Sequence, residues 1–209
     1  MTDAIAIVDY GVGNLRSAQK ALETLGQAAV ITSDADVIAR APAVVLPGQG
    51  AFGTCMRNLA EAGLVEPVRQ AASSGRPFLG ICVGMQLLFE ASEESPGVAG
   101  LGIFGGTVVR FPRDPERKVP HMGWNQLRIR RRSPALAHVD DGAWVYFVHS
   151  YHPLPTDPDV VATTTEYGVE FVSSVGQGNV WAGVFHPEKS QRTGLRLLQG
   201  FVDLVNGTR

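Results

Sequence analysis

Short apolar runs punctuate the first half of the chain, and what lies between them restricts the fold. Ala4 to Asp9, Ala28 to Thr32, Ala43 to Leu46 and Pro77 to Ile81 are almost free of charge and do not alternate. That pattern suits strands buried on both faces. After the first run, Leu15, Ala18, Leu22 and Leu25 recur at helical spacing and stop at Gly26. Ahead of the last, Leu64, Val65, Val68 and Ala72 mark a second helix, which stops at Gly75. Strands alternating with helices imply a parallel sheet covered by those helices. The second half reads differently. Thr107 to Phe111, Trp144 to Val148, Val160 to Thr165, Glu170 to Val175 and Val180 to Val184 are short strand-like runs parted by Gly, Pro and Asp, with a hairpin turn at Gly176 to Asn179. Leu195, Leu198, Phe201, Val202 and Val205 form a closing amphipathic helix that ends near Gly207. The expectation is an α/β chain: a doubly wound, mostly parallel sheet with helices on both faces and an antiparallel extension. No repeat, low-complexity tract or linker interrupts residues 1–209, so they read as a single domain.

Composition excludes several function classes. With 44% hydrophobic and 18% charged residues, a chain of 209 can build its core without disulfides or a structural metal. A formal charge of −2 selects neither nucleic acid nor anionic lipid as a partner. The longest charge-free apolar stretch, Pro77 to Phe89, is shorter than the ~20 residues of a membrane span. Asp3 and the lack of a basic run before the first apolar segment argue against an ordinary secretory signal, so the cytoplasm is the expected location. Cys55 and Cys82 make neither a disulfide framework nor a C-x-x-C pair, which leaves a thiol for chemistry.

Cys82 is the thiol with the stronger context. Gly80-Ile81-Cys82-Val83-Gly84 joins the Pro77 to Ile81 strand to the helix-like run Met85 to Glu90, which is the G-x-S-x-G nucleophile elbow with sulfur for oxygen. The flanking glycines clear the space a sharp turn needs. The helix start favours thiolate over thiol, and the Val83 N–H points where an oxyanion would form. The alternative is a buried cysteine in a tight turn. Cys55 has no strand before it and reads as structural. A base for the thiolate is His186, which follows the Val180 to Phe185 strand and precedes Pro187-Glu188. Proline keeps the residue before it extended, and residues two apart in extended chain share a side, so Glu188 can reach the imidazole and fix its tautomer. The competing reading is a strand end followed by a helix start. Pro47-Gly48-Gln49-Gly50 either offers backbone N–H groups to an oxyanion or is an ordinary βα turn. It lacks the Lys-Ser/Thr of a phosphate loop, and Gly11-Val12-Gly13 lacks the third glycine of a dinucleotide fingerprint.

In this order and spacing, Pro47-Gly48-Gln49-Gly50, Gly80-Ile81-Cys82-Val83-Gly84-Met85-Gln86 and His186-Pro187-Glu188 resemble the class I glutamine amidotransferases. Met85 to Glu90, Pro120 to Asn125, Tyr146 to Tyr151 and His186 to Ser190 look like the glutaminase subunits of histidine biosynthesis, and the likeness runs from Asp9 to the terminal helix. The resemblance implies Cys82 as nucleophile, His186 as general base and acid, and Glu188 as the orienting acid. It also implies an oxyanion site at Gly48, Gln49, Gly50 and Val83, with Gln49 where valine is frequent in this subgroup. Gln86, Glu94 and backbone groups of His149, Ser150 and Tyr151 would hold the amino-acid end of glutamine. Independently, Gln86 lies one helical turn past Cys82 and so can face the same cleft, whereas for Glu94 a solvated surface carboxylate is an equal alternative. The activity implied is hydrolysis of glutamine through a thioester, with ammonia passed to a barrel-shaped cyclase subunit in a heterodimer. No cofactor and no metal is implied.

Asn14, Trp124 and Lys189 are the candidates for the docking face, set against core packing for Trp124 and helix-start solvation for Lys189. Arg128-Ile129-Arg130-Arg131-Arg132 reads as a solvated strand end and turn rather than a nucleic-acid patch. Other amidotransferase subunits on the same scaffold, of the anthranilate or pyridoxal phosphate type, fit less well with Met85 and Pro120 to Asn125. A free-standing thiol hydrolase needs no partner, and a binding module needs none of the Cys82, His186 and Glu188 side chains.

Overall fold

A computed structural model describes residues 4–207; Asp3 lies outside the described residues. The first half alternates as its apolar runs require: β1 (Ile5–Val8), α1 (Leu15–Thr24), β2 (Ala29–Thr32), α2 (Ala35–Arg40), β3 (Val44–Gly48), α3 (Phe52–Glu61), α4 (Val65–Ser73) and β4 (Phe78–Cys82). β1, β3 and β4 are buried along their whole length. That two-sided burial is why their sequences do not alternate. Asp34 caps α2 by accepting from the N–H groups of Asp36 and Val37. Periodicity did not announce α2, which has only six residues, or α3, although α3 buries Phe52, Cys55, Met56 and Leu59 along one face.

The chain then continues through α5 (Val83–Gln86), β5 (Phe89–Ser92), β6 (Phe104–Arg110), β7 (His121–Gln126), β8 (Arg128–Ile129), β9 (Trp144–His149), β10 (Tyr151–Pro155), β11 (Val161–Glu166), β12 (Glu170–Gln177), β13 (Val180–Gly183) and α6 (Gln191–Val205). The main sheet has the strand order β2-β1-β3-β4-β13-β12-β11-β8. It is parallel from β2 through β13 and antiparallel beyond. α1 packs with α6, and α4 with both α2 and α3. The antiparallel extension therefore joins the parallel half through β12–β13, whose hairpin turns at Gly178 and Asn179. Two smaller sheets, β10-β6-β5 and β7-β9, stand beside it. Among the described residues no helix is long and apolar enough to cross a membrane.

The run Met85 to Glu90 corrects the expectation of a helix there. The helix stops after Gln86, and Phe89 already begins β5. Carbonyls that a longer helix would use internally serve another segment: Leu101 N–H donates to Leu87 O at 2.7 Å, and Ile103 N–H donates to Leu88 O at 2.8 Å. Met85, Leu87, Leu88 and Phe89 are all fully buried. Burial on every side erases the amphipathic signature that would have separated helix from strand.

The arginine run is consumed by the edge of the sheet. Arg130 pairs with Glu170 and donates to Thr164 Oγ1, Arg131 donates to the Gly176 carbonyl, and Arg132 donates to Val139 O at 2.8 Å. Arg130 and Arg131 thus tie β8 and the following loop to β11 and β12, and Arg132 closes the loop on itself, so the three form no free cationic patch.

α5 rests directly on the end of β3. A Cβ on Gly84 would collide with the Leu46 carbonyl oxygen, and one on Gly48 with the backbone nitrogen of Gly84. The Tyr10 hydroxyl donates to Pro47 O at 2.6 Å and fixes the same strand end from the other side. We expect Gly84→Ala to lower the unfolding free energy by about 1–3 kcal/mol, the range for overpacking a tight interior contact, as measured by urea denaturation.

Candidate active site

Cys82 ends β4 with φ 55° and ψ −117°, a left-handed backbone that a non-glycine residue adopts only under constraint. Such strain costs about 1–3 kcal/mol and persists where surrounding packing over-determines it. Here the constraint is the contact of Gly84 with Leu46 and the close approach of Gly80 to Ala182 and Leu88. The sulfur is thereby turned out of the sheet at the carboxyl end of the parallel strands. The helix dipole contributes less than the sequence reading assigned to it, because α5 is a single turn. The positive group beside the sulfur is the imidazole of His186.

β13 lies next to β4 in parallel, with Ala182 opposite Gly80 and Gly183 opposite Ile81. His186, just past the end of β13, therefore reaches the same sheet edge as Cys82. Its Nδ1 bonds Glu188 Oε1 at 2.8 Å, with both side chains buried. The contact does not arise from extended chain as the sequence reading had it. His186 is extended, but Pro187–Lys189 forms a 3-10 turn that curls Glu188 back to the ring. The backbone of His186 is pinned as well: its N–H donates to Tyr146 O at 3.0 Å, and its carbonyl accepts from Lys189 N–H at 3.0 Å and Ser190 Oγ at 2.6 Å. Ser190 Oγ in turn accepts from Tyr146 N–H at 2.9 Å. Sequence reasoning quoted Ser190 but gave it no role; the signal available was a hydroxyl four residues after the histidine, placed to turn back on it.

Two opposing effects set the charge on His186. Burial favours the neutral ring, but the neighbouring Cys82 and Glu188 outweigh it and raise the pKa to about 10. Nε2 is buried without a hydrogen-bond partner, and Cys82 lines the same pocket. Cys55 is the contrasting case. Burial raises its thiol pKa, so it stays protonated and donates to Gln49 O at 3.3 Å, holding the loop after β3.

Around the thiol lies a pocket of about 230 Å³. Gln49, Gly50, Cys82, Val83, Gln86, Glu94, His149, Ser150, Tyr151, His186 and Lys189 line it together with Pro120 and Val148. Gly48 does not: it sits beneath, pressed against Gly84. Gln86 donates through Nε2 to Tyr151 O at 3.3 Å, and Glu94 Oε2 accepts from the Phe52 N–H that opens α3 at 2.7 Å. That cap draws Glu94 to the pocket, a placement no local spacing announced. Asn14, at the start of α1, and Trp124, on β7, do not line the pocket, and Trp124 is 42% exposed rather than packed in the core. Among the described residues no cluster of His, Cys, Asp and Glu is placed to hold a metal ion.

A thiol on a strained elbow, an imidazole braced by a carboxylate and a small pocket lined by amides are the parts of an amide-cleaving site. The family model for class I glutamine amidotransferases matches residues 6–204. The chain belongs to the class I glutamine amidotransferases. It is similar to the imidazole glycerol phosphate synthase subunit HisH of Geobacter sulfurreducens, with 54% identity over 205 residues, 96% of this chain and 98% of that one. The HisH subunit of Moorella thermoacetica is 51% identical over 96% of this chain and 95% of its own. The fold of PurLQS from Thermotoga maritima also superposes on the amidotransferase, with a TM-score of 0.75 at 21% identity over 97% of this chain and 99% of that chain.

The raised pKa of His186 gives a signed expectation. A histidine whose folded pKa lies above its unfolded value of about 6.5 adds stability that is complete below that value and is lost as pH rises through the folded one. Glu188→Gln removes one of the two groups, with Cys82, that hold the proton. Its His186 ring should titrate well below the wild-type value of about 10 in a ¹⁵N NMR titration, and the stability advantage of the wild type over the variant should shrink between neutral pH and that value.

Proposed function

We propose that the chain is the glutaminase subunit of an imidazole glycerol phosphate synthase, working as one glutaminase domain in the cytoplasm. The observation that carries the reading is the buried Cys82, His186 and Glu188 arrangement at the mouth of a pocket sized for an amino acid. The Cys82 thiolate attacks the side-chain amide carbon of glutamine. Backbone N–H groups of Val83 and the Gln49-Gly50 segment receive the oxyanion, with Gly48 supporting them from below. His186 gives its Nε2 proton to the departing nitrogen, ammonia leaves, and a glutamyl thioester remains. Neutral His186 then takes a proton from water, which attacks the thioester and frees glutamate and the thiol. Glu188 keeps Nδ1 protonated through both steps. Gln86, Glu94 and the backbone of His149, Ser150 and Tyr151 hold the amino-acid end of the substrate.

Ammonia in neutral water becomes protonated and ceases to be a nucleophile, which favours a site that discharges into a second enzyme. The surface supports such a partner. On the β7–β9 ribbon, Met122, Trp124 and Trp144 are 64%, 42% and 52% exposed. Tyr146 stands opposite Trp124 across the strands, with ring centroids 6.0 Å apart. An apolar aromatic face of this kind marks an interaction site. The proposed occupant is a barrel-shaped cyclase subunit, docked over Trp124, Asn14 and Lys189. It would add the nitrogen to a phosphoribulosyl-carboxamide nucleotide and yield imidazole glycerol phosphate and aminoimidazole carboxamide ribotide.

The test is glutamate release from glutamine by the isolated chain and then with the cyclase subunit and its ligand. We expect strong stimulation by the partner; high turnover without it would favour a free hydrolase. Cys82→Ala should lower the stimulated rate by at least ~10³-fold, the scale for loss of a catalytic nucleophile, and an active variant would remove the mechanism. Trp124→Ala should weaken association with the cyclase by about 2 kcal/mol, roughly thirtyfold in Kd, as read by calorimetry.

A further inference from the structure

The mechanism leaves a buried pair of histidines unused. His121 on β7 and His149 on β9 are register partners, with Nδ1 of the first 3.2 Å from Nε2 of the second. Their proton positions follow from their neighbours. His149 Nδ1 lies 2.8 Å from Tyr151 O, and a carbonyl only accepts, so that nitrogen carries the hydrogen. Burial lowers the pKa of His149 to about 3, so the ring is neutral and Nε2 is bare. His121 Nδ1 must then donate. Burial lowers His121 to about 4 as well, which leaves its Nε2 as an acceptor facing Asn125 Nδ2 at 3.4 Å. Asn125 is itself fixed, because Nδ2 donates to Glu166 O at 2.8 Å and Oδ1 accepts from Gln126 N–H at 2.8 Å. The result is a one-way chain of donors from Asn125 through His121 and His149 to the Tyr151 carbonyl, which is also the acceptor for Gln86 in the pocket wall.

The rings cannot easily turn out of this chain. His121 is stacked between Phe147 and Tyr167, with centroids 4.8 Å and 4.0 Å away and planes inclined by 26° in each case. Its neighbour Met122 is among the most exposed apolar side chains on the ribbon. β7 thus presents one residue to solvent and the next to the network behind the pocket.

We propose that His121 is a positioning residue for glutamine binding: by donating to His149 it fixes the tautomer with which His149 holds the Tyr151 carbonyl, and so the wall on which the substrate's amino-acid end lies. The role rests on the glutaminase reading of the pocket. It touches neither the sulfur nor the scissile amide, so its loss acts on binding more than on chemistry.

The test uses the full chain in complex with the cyclase subunit. His121→Phe keeps the aromatic stack but removes both hydrogen bonds. It should raise KM for glutamine about tenfold, with kcat and the rate of Cys82 alkylation by iodoacetamide within twofold of wild type. His121→Gln, whose amide can donate to His149 and accept from Asn125, should recover most of the lost affinity. Asn125→Ala, at a half-buried strand position, should raise KM in the same direction by a smaller factor and covers the case in which His121→Phe fails to fold. Unchanged KM in Asn125→Ala and in whichever His121 variant folds would overturn the role. Equal losses in kcat, alkylation and thermal stability with no recovery in His121→Gln would also overturn it, since that is the signature of packing alone. A wild-type complex that releases no glutamate removes the pocket reading and this role together, whereas an active wild type with an unaffected His121→Phe removes the role only.

Discussion

The parallel pairing of β4 with β13 is the constraint on which the site depends. It joins residues about a hundred positions apart and fixes their relative height: with Gly183 opposite Ile81, the chain leaves β13 for His186 at the level where β4 ends in Cys82. A slip of one residue would turn one partner to the other face of the sheet. Interior packing resists the slip. Gly80 accepts the close approach of the Ala182 side chain, and Phe185, fully buried, packs beneath Gly183. The left-handed backbone at Cys82 is a local strain sustained by this non-local agreement.

The parallel half was legible chiefly because β1, β3 and β4 are buried on both faces, β2 at the sheet edge being half-buried. Uninterrupted apolar runs closed by Gly26 and Gly75 gave β1, β2, β3, β4, α1 and α4 nearly at their observed limits, and the alternation of Val180 to Val184 with Glu170 to Val175 gave the β12–β13 hairpin. The same property blurred the stretch after Cys82. Met85 to Phe89 is apolar without a period, so nothing local says that its helix ends at Gln86; the decision is made by residues 100–104, which take the carbonyls of Leu87 and Leu88. β7 and β10 escaped notice for a different reason. In His121 to Gln126 the one buried residue is a histidine while Met122 and Trp124 are exposed, the reverse of the pattern a strand search relies on.

The site divides along the same line. Cys82 stood out because glycines at fixed offsets carry the geometry of its turn, and the nearness of His186 and Glu188 was foreseen although the turn that joins them is 3-10 rather than extended. Glu94 reaches the pocket by capping α3, a helix the sequence did not reveal. Gly48 was expected at the oxyanion site as part of the glycine-rich loop that follows β3, yet its lack of a side chain serves the contact with Gly84. His121 and His149 lie 28 residues apart, and only antiparallel pairing of β7 with β9 makes them partners.

Three imidazoles at one end of the molecule show how environment alone assigns protonation. His186 and His149 are both buried, and burial by itself favours the neutral ring in each. His186 has a carboxylate on Nδ1 and the Cys82 thiol nearby, and these reverse the outcome; His149 has only a carbonyl and a second neutral imidazole. The charge on His186 further disfavours a proton on His149. Glu188, buried beside Nδ1, supports one cationic ring at this end of the sheet, and the geometry gives that charge to His186. The other two rings then serve as fixed dipoles, which is possible only because neither competes for the proton.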